Sequence, residues 1–159
     1  MNLKTNNLSN ATIFVIDDEK VATDVIRLYL EQGGCRNIHG FNNSVEAMET
    51  LAFVKPDVVI TDVEMPELGG KYLTRLIKKT SHLEQIPIIV VTSDASDATR
   101  KKLIGNGVDE ILIKPTSADE LLRAIERSTN RDDTDQAAPD NLADGNRQAS
   151  RLSINASME

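Results

Sequence analysis

The chain has no tryptophan, a single cysteine and only 3% aromatic residues. Any core must therefore be aliphatic, and a hydrophobic content of 40% supplies enough side chains for one. The lone thiol, Cys35, excludes an internal disulfide and fits a reducing compartment. No apolar stretch approaches the ~20 residues that a membrane-spanning helix needs. The N-terminus lacks the basic-then-apolar order of a secretory signal, so a cytoplasmic location is expected. Cations are outnumbered too: 18 Lys and Arg against 25 Asp and Glu leave a net charge of −7. That balance argues against any general affinity for nucleic acid or anionic membrane. With 159 residues there is room for one ordinary domain and a modest remainder.

What is present is a repeated alternation. The run Val58-Val59-Ile60-Thr61 is apolar and β-branched, entered after the turn signal Lys55-Pro56-Asp57. It reads as a strand buried on both faces. It stops at one carboxylate, Asp62, and breaks into a loop marked by Pro66, Gly69 and Gly70. An acid at the C-terminal end of a buried strand sits where open α/β sheets place their ligands. Taken singly, Asp62 reads equally well as the cap of a loop.

Residues 11–16, 37–41, 86–91 and 110–113 read as four more strands. Between them lie helical periods over 20–31, from the Asn43 cap onward, over 71–79, over 96–104 and from Ser117 onward. Val21, Val25 and Leu28 recur at helical spacing in the first helix, beside Ala22, Ile26 and Tyr29. Val45, Met48, Leu51 and Ala52 are expected as the buried face of the second, and Tyr72, Leu73, Leu76 and Ile77 of the third. Leu121, Leu122 and Ile125 mark the last. Five strand–helix alternations predict a parallel sheet with helices on both faces. Residues 1–10 are polar and expected to be a loose leader, and 11–128 form the domain. Residues 129–159 are too poor in apolar side chains to offset their ordering entropy, so they are expected as a disordered tail or linker.

Polar residues gather at the strand ends: Asp17 and Asp18 after the first, Asp62 after the third, Thr92 ending the fourth, Lys114 after the fifth. In a parallel sheet these ends share one edge. With strands one and three adjacent, as in the order 2-1-3-4-5, three carboxylates meet at the switch point. Their repulsion should raise at least one pKa unless a cation intervenes. An all-oxygen cluster suits Mg²⁺. Alone, Asp18 reads as a helix cap, Thr92 as an ordinary strand end and Lys114 as a surface lysine. Their conjunction decides for a site.

The set Asp17-Asp18, Asp62 followed by Met65-Pro66, Thr92 and Lys114-Pro115 resembles the receiver domain of two-component response regulators, the CheY-like superfamily. The resemblance runs over residues 11–128, and four motifs at this spacing make it specific. It implies a flavodoxin-like receiver fold of five parallel strands in the order 2-1-3-4-5. It implies that Asp62 accepts a phosphoryl group from a sensor histidine kinase or a histidine phosphotransfer protein. Asp18 would bind Mg²⁺ directly and Asp17 largely through water, with Asp62 and the Glu64 backbone carbonyl completing the protein ligands. Thr92 and Lys114 would hold phosphoryl oxygens, and Lys114-Pro115 would be a cis peptide. Such a domain switches binding to a protein target and is not a turnover enzyme. The loop after Thr92, the fourth helix and the fifth strand are the expected responding surface.

Three positions depart from the family pattern. Ile111 stands where an aromatic is common, Ser93 where Ala or Gly is preferred, and Gly69 where Asp is frequent. Cys35, His39 and His82 have no partners at metal or triad spacing and are read as incidental. Two alternatives remain: the input half of a longer regulator, with 129–159 as linker, and an aspartyl-phosphate hydrolase. The hydrolase would usually carry its nucleophile on the first strand and need a substrate-enclosing cap. A flavin or nucleotide module would want a glycine-rich phosphate loop where Asp17-Asp18-Glu19 would repel phosphate.

Overall fold

The computed structural model describes residues 8–63 and 70–137. Five short strands, β1 (Thr12–Ile16), β2 (Asn37–Phe41), β3 (Val58–Thr61), β4 (Ile88–Thr92) and β5 (Glu110–Ile113), form one sheet. Its order is β2-β1-β3-β4-β5, and every pairing is parallel, as expected. All of β3 and β4 is buried, which is why both read as unbroken β-branched runs. Register positions the site. Ile16 pairs with Thr61, so Asp17 and Asp62 leave their strands side by side. Thr92 pairs with Ile113, so Lys114 leaves β5 beside the end of β4.

The helices are α1 (Lys20–Gln32), α2 (Ser44–Leu51), α3 (Gly70–Lys79), α4 (Asp97–Gly105) and α5 (Ala118–Ala137). Alternate strand residues feed two cores. Phe14, Val59 and Val90 meet Leu51 of α2, Ile77 of α3 and Leu103 of α4. Val15, Ile60 and Val91 meet Ile26 of α1 and Leu121 and Ile125 of α5. Each fully buried aliphatic side chain contributes about 1.5–3 kcal/mol, so the shortage of aromatics is no obstacle. Caps fall where the sequence predicts them. Asn43 accepts from the Val45 and Glu46 N–H groups at 2.7 and 3.2 Å. Ser117 and Glu120 form the reciprocal capping box, at 3.1 and 3.0 Å. Gly34, at φ 97°, turns the chain out of α1 through a conformation that glycine alone adopts cheaply. Lys114-Pro115 is cis.

Several helix faces differ from the expected ones. The buried stripe of α1 is Thr23, Ile26 and Leu30, whereas Val21 and Leu28 are 74% and 52% exposed. In α2 the buried residues are Ser44, Ala47 and Leu51, with Val45 and Ala52 exposed. In α3, Thr74 is buried beside Leu73 and Ile77 while Tyr72 faces solvent. Thr23 shows one physical reason. A hydroxyl can turn back onto its own helix and be buried without loss, as Thr23 does on the Lys20 carbonyl at 2.9 Å. A count of apolar residues therefore favours the wrong stripe.

Leu8 packs on the α1–α5 core, so the last residues of the expected leader are held. The compact unit ends at Ser128. α5 continues to Ala137, so residues 129–137 extend a helix where a disordered tail was expected. The rest of the expected tail and of the leader lies outside the described residues. Among the described residues no helix is long and apolar enough to cross a membrane.

Candidate functional site

The C-terminal edge of the sheet holds its acids by backbone bonds that run one residue past the strands. Asp17 N–H donates to the Phe41 carbonyl at 3.0 Å and Asp62 N–H to the Ile16 carbonyl at 3.1 Å. The side chains are equally constrained. Asp17 is 2% exposed; Oδ1 accepts the Glu19 N–H at 3.0 Å and Oδ2 accepts Lys114 Nζ at 3.0 Å. Asp62 Oδ1 accepts the Val63 N–H at 2.6 Å, and Oδ2 accepts Lys114 Nζ at 3.1 Å. Asn42 Nδ2 donates to the Asp17 carbonyl at 2.8 Å, bracing the same corner from the end of β2. Lys114 itself is tied to β4, its N–H donating to the Thr92 carbonyl at 2.8 Å.

One ammonium thus bridges two carboxylates, and a third, Asp18, lies exposed beside them. Asp17, Asp18 and Asp62 each offer an oxygen within 4.8 Å of the others. Burial pushes the Asp17 carboxyl up from its ordinary pKa of 3.8. The Glu19 N–H and Lys114 oppose that rise, and the charge of Asp62 adds to it. For Lys114 burial works downward, but its bonds to Asp17 and Asp62 prevail and raise it above 10.5. The lysine is a firm cation at neutral pH. Three carboxylates against one ammonium still leave negative charge in excess. Hard oxygen donors, one of them open to solvent, fit Mg²⁺ well. Glu64, expected to add its backbone carbonyl, lies outside the described residues, as do Met65, Pro66 and Gly69.

Thr92, at the end of β4, is buried, and its Oγ1 accepts the Asp94 N–H at 3.1 Å. Ile111 packs partly buried against the Phe14 core, in the place of the missing ring. Beside Lys114 a groove of about 430 Å³ runs along α1, lined by Val21, Val25, Tyr29 and Pro115. Val21 and Val25, which α1 turns outward, line it, whereas the exposed Leu28 does not. Cys35 is buried in the α1–α5 core, where burial pushes its thiol pKa up, and His39 packs at 5.4 Å from the Phe14 ring; neither reaches this edge.

Of the five side chains expected at this edge, those of Asp17, Asp18, Asp62 and Lys114 are brought together, and Thr92 stands at the end of β4 with its hydroxyl on the Asp94 N–H. Three features went unread in the sequence: the double bridge by Lys114, the Asn42 brace and the Asp94 contact to Thr92. The Asn42-Asn43 pair was a signal for the second. Thr92 and Asp94, two residues apart, were a signal for the third, and nothing local marks the double bridge.

The family model for the response regulator receiver domain matches residues 13–126. The chain is 32% identical to the response regulator MprA of Mycobacterium leprae over 135 residues, covering 83% of this chain and 58% of that protein. The sensor kinase/phosphatase CqsS of Vibrio cholerae is 32% identical over 114 residues, covering 71% of this chain and 16% of its own length. The chain thus spans about half the length of the curated relatives it matches, or less. Among solved structures, a receiver domain protein from Clostridium thermocellum aligns with a TM-score of 0.70 and 31% identity, covering 78% of this chain and 98% of that one. The receiver domain of a sensor histidine kinase from Pseudomonas aeruginosa, with a magnesium ion in its active-site cleft, aligns with a TM-score of 0.69 and 26% identity, covering 76% and 98%. A match that begins in β1 and ends in α5 takes in every strand end that carries a site residue, and the chain belongs to the response regulator receiver family.

Proposed function

We propose that this domain accepts a phosphoryl group on Asp62 from a phosphohistidine of a sensor histidine kinase or histidine phosphotransfer protein, and that the modified domain changes its binding to a protein target. The observation that carries the reading is the bridge of Lys114 Nζ to Asp62 and Asp17 at 3.1 and 3.0 Å. It sets a cation against the carboxylate at the end of the central strand. Phosphoryl transfer needs positioning and charge neutralisation more than covalent help. An Asp62 oxygen attacks phosphorus, the new O–P bond forms as the P–N bond to the imidazole breaks, and the electron pair leaves on that nitrogen. Lys114 holds the Asp62 carboxylate in place and then lies beside the phosphoryl oxygens, and the Thr92 hydroxyl donates to another of them. Asp17, Asp18, Asp62 and, by family resemblance, the Glu64 carbonyl would hold Mg²⁺, which would supply positive charge to the transferred group. The apolar groove along α1 offers the donor protein a surface that ends at Lys114. The unpaired thiol of Cys35 fits a cytoplasmic location.

Coverage of 58% of the MprA length also supports a second reading, in which this receiver serves as the input part of a longer regulator. Both readings share the same test of chemistry. Incubation with acetyl phosphate and Mg²⁺ should add one acid-stable, base-labile phosphoryl group, and Asp62→Asn should take none. Equal labelling of that variant by intact mass would overturn the assignment.

A further inference from the structure

Asp94, two residues beyond Thr92, takes no part in the steps above, yet its bonds connect the site to α4. Its N–H donates to Thr92 Oγ1 at 3.1 Å. Its carboxylate is engaged at both oxygens. Oδ1 accepts the Ser96 N–H at 2.9 Å, and Oδ2 accepts the hydroxyl of Thr99 at 2.5 Å. Thr99 is buried in the first turn of α4, and its own N–H is capped by Ser96 Oγ at 3.3 Å. The bond to Ser96 alone would be an ordinary side-chain turn, needing no further account. The bond to Thr99 is different. The hydroxyls of Thr23, Thr50 and Thr80 each return to a carbonyl three or four residues back in their own segment. The Thr99 hydroxyl instead leaves its helix for a charged acceptor, a bond about twice as strong as a neutral one.

A threonine hydroxyl has one hydrogen and two lone pairs. With one lone pair taken by the Asp94 N–H, the Thr92 hydrogen must point elsewhere. The aim of that N–H depends on its loop, whose neighbours Ser93, Ala95 and Ser96 are exposed and add little burial. The Asp94 carboxylate supplies what burial does not, by fastening the loop to α4. We propose that Asp94 is a positioning residue: its N–H orients the Thr92 hydroxyl, and its carboxylate carries movement of Thr92 into α4 through Thr99. The proposal rests on the reading of Asp62 as phosphoacceptor and names the route by which that site reaches its responding helix.

The test uses the full chain with Mg²⁺ and beryllofluoride, read by hydrogen exchange in two segments, the strand ends at 60–63 and 112–114 and the loop and helix at 93–105. In the wild type both segments should gain protection. In Asp94→Ala and in Thr99→Val the strand ends should respond as in the wild type. The gain at 93–105 should fall about tenfold, the factor for losing one hydrogen bond to a charged group. Thr99→Ser, which keeps the hydroxyl, should restore it. A merely structural role would lower protection with and without beryllofluoride alike and leave the gain unchanged, and that result overturns the proposal. So does a Thr99→Ser variant as unresponsive as Thr99→Val. Absence of any response in the wild type, strand ends included, would defeat the phosphoacceptor reading and this inference with it.

Discussion

The two edges of the sheet use the same residue to opposite ends. At the N-terminal edge Asp57 and Asp109 each stand one residue before a strand, beside the first residue of its neighbour. Asp57 Oδ2 accepts the Thr12 N–H at 2.8 Å while its own N–H donates to the Thr12 carbonyl at 2.7 Å. Asp109 repeats the arrangement on Ile88, at 2.8 and 2.9 Å. These acids are kept apart, each closing one side-chain and one backbone bond where a strand pair starts. At the C-terminal edge Asp17, Asp18 and Asp62 are gathered within reach of one another, and Lys114 serves two of them. An aspartate with its own donors stabilises the fold. Aspartates crowded around one cation are poised for a ligand that brings more positive charge. On the function proposed above, grouping and not residue type separates the structural acid from the chemical one.

The largest expected effect sets the edges against each other directly. Asp62→Asn should abolish labelling by acetyl phosphate, because an amide is no nucleophile for phosphorus, while Asp57→Asn should label like the wild type. Comparable losses in both variants would dissolve the distinction. Next, Mg²⁺ should raise the melting temperature by binding the native state, worth about 2.7 kcal/mol at a hundredfold excess over its dissociation constant. Asp18→Ala should lose most of that increment and Asp109→Ala should keep it; a full response from Asp18→Ala would place the cation elsewhere.

Stability should show the converse. Asp109→Ala leaves the Ile88 N–H without its side-chain acceptor and should cost about 1–3 kcal/mol in urea unfolding. Asp57→Ala, at an exposed position, belongs at the low end of that range. Neither should change labelling, and a phosphorylation defect in Asp109→Ala would blur the line between the edges. The smallest effect is in pH. Asp17 is raised above 3.8 in the folded protein, so its contribution to stability is fully present below that value. It is lost as pH rises through the folded pKa. Without divalent metal, wild-type stability should therefore fall through this window relative to Asp17→Asn. Lys114, also raised, keeps its contribution until pH passes beyond 10.5. Parallel urea midpoints for the two proteins from about pH 4 to 7 would show that burial of Asp17 carries no cost.

The helix faces show where local pattern gives out. Strand positions were legible because β-branched runs such as Val58–Thr61 and Ile88–Thr92 are bounded by turn residues. Helix ends were legible at Asn43, Ser96 and Ser117, whose side chains cap locally. The faces of α1, α2 and α3 were not. Thr23, Ser44 and Thr74 are buried although polar, and Val21 and Val25 point outward to line the groove instead of the core. The bond of Thr23 to the Lys20 carbonyl is local, but which face of each helix meets the sheet is not.

By itself, then, the sequence determined the strand–helix alternation, the caps, and the placing of acids, a hydroxyl and a lysine at strand ends, since each depends on residues within a few positions. Only the tertiary structure decided that one lysine would hold two of those acids, 97 and 52 residues away along the chain. It also decided that Asp57 and Asp109 would each find a neighbouring strand's N–H. Contacts of this kind are set by strand register and by which face of a helix meets the sheet. Register and facing are properties of the packed whole, because they arise from the fit of every strand and helix to its neighbours at once.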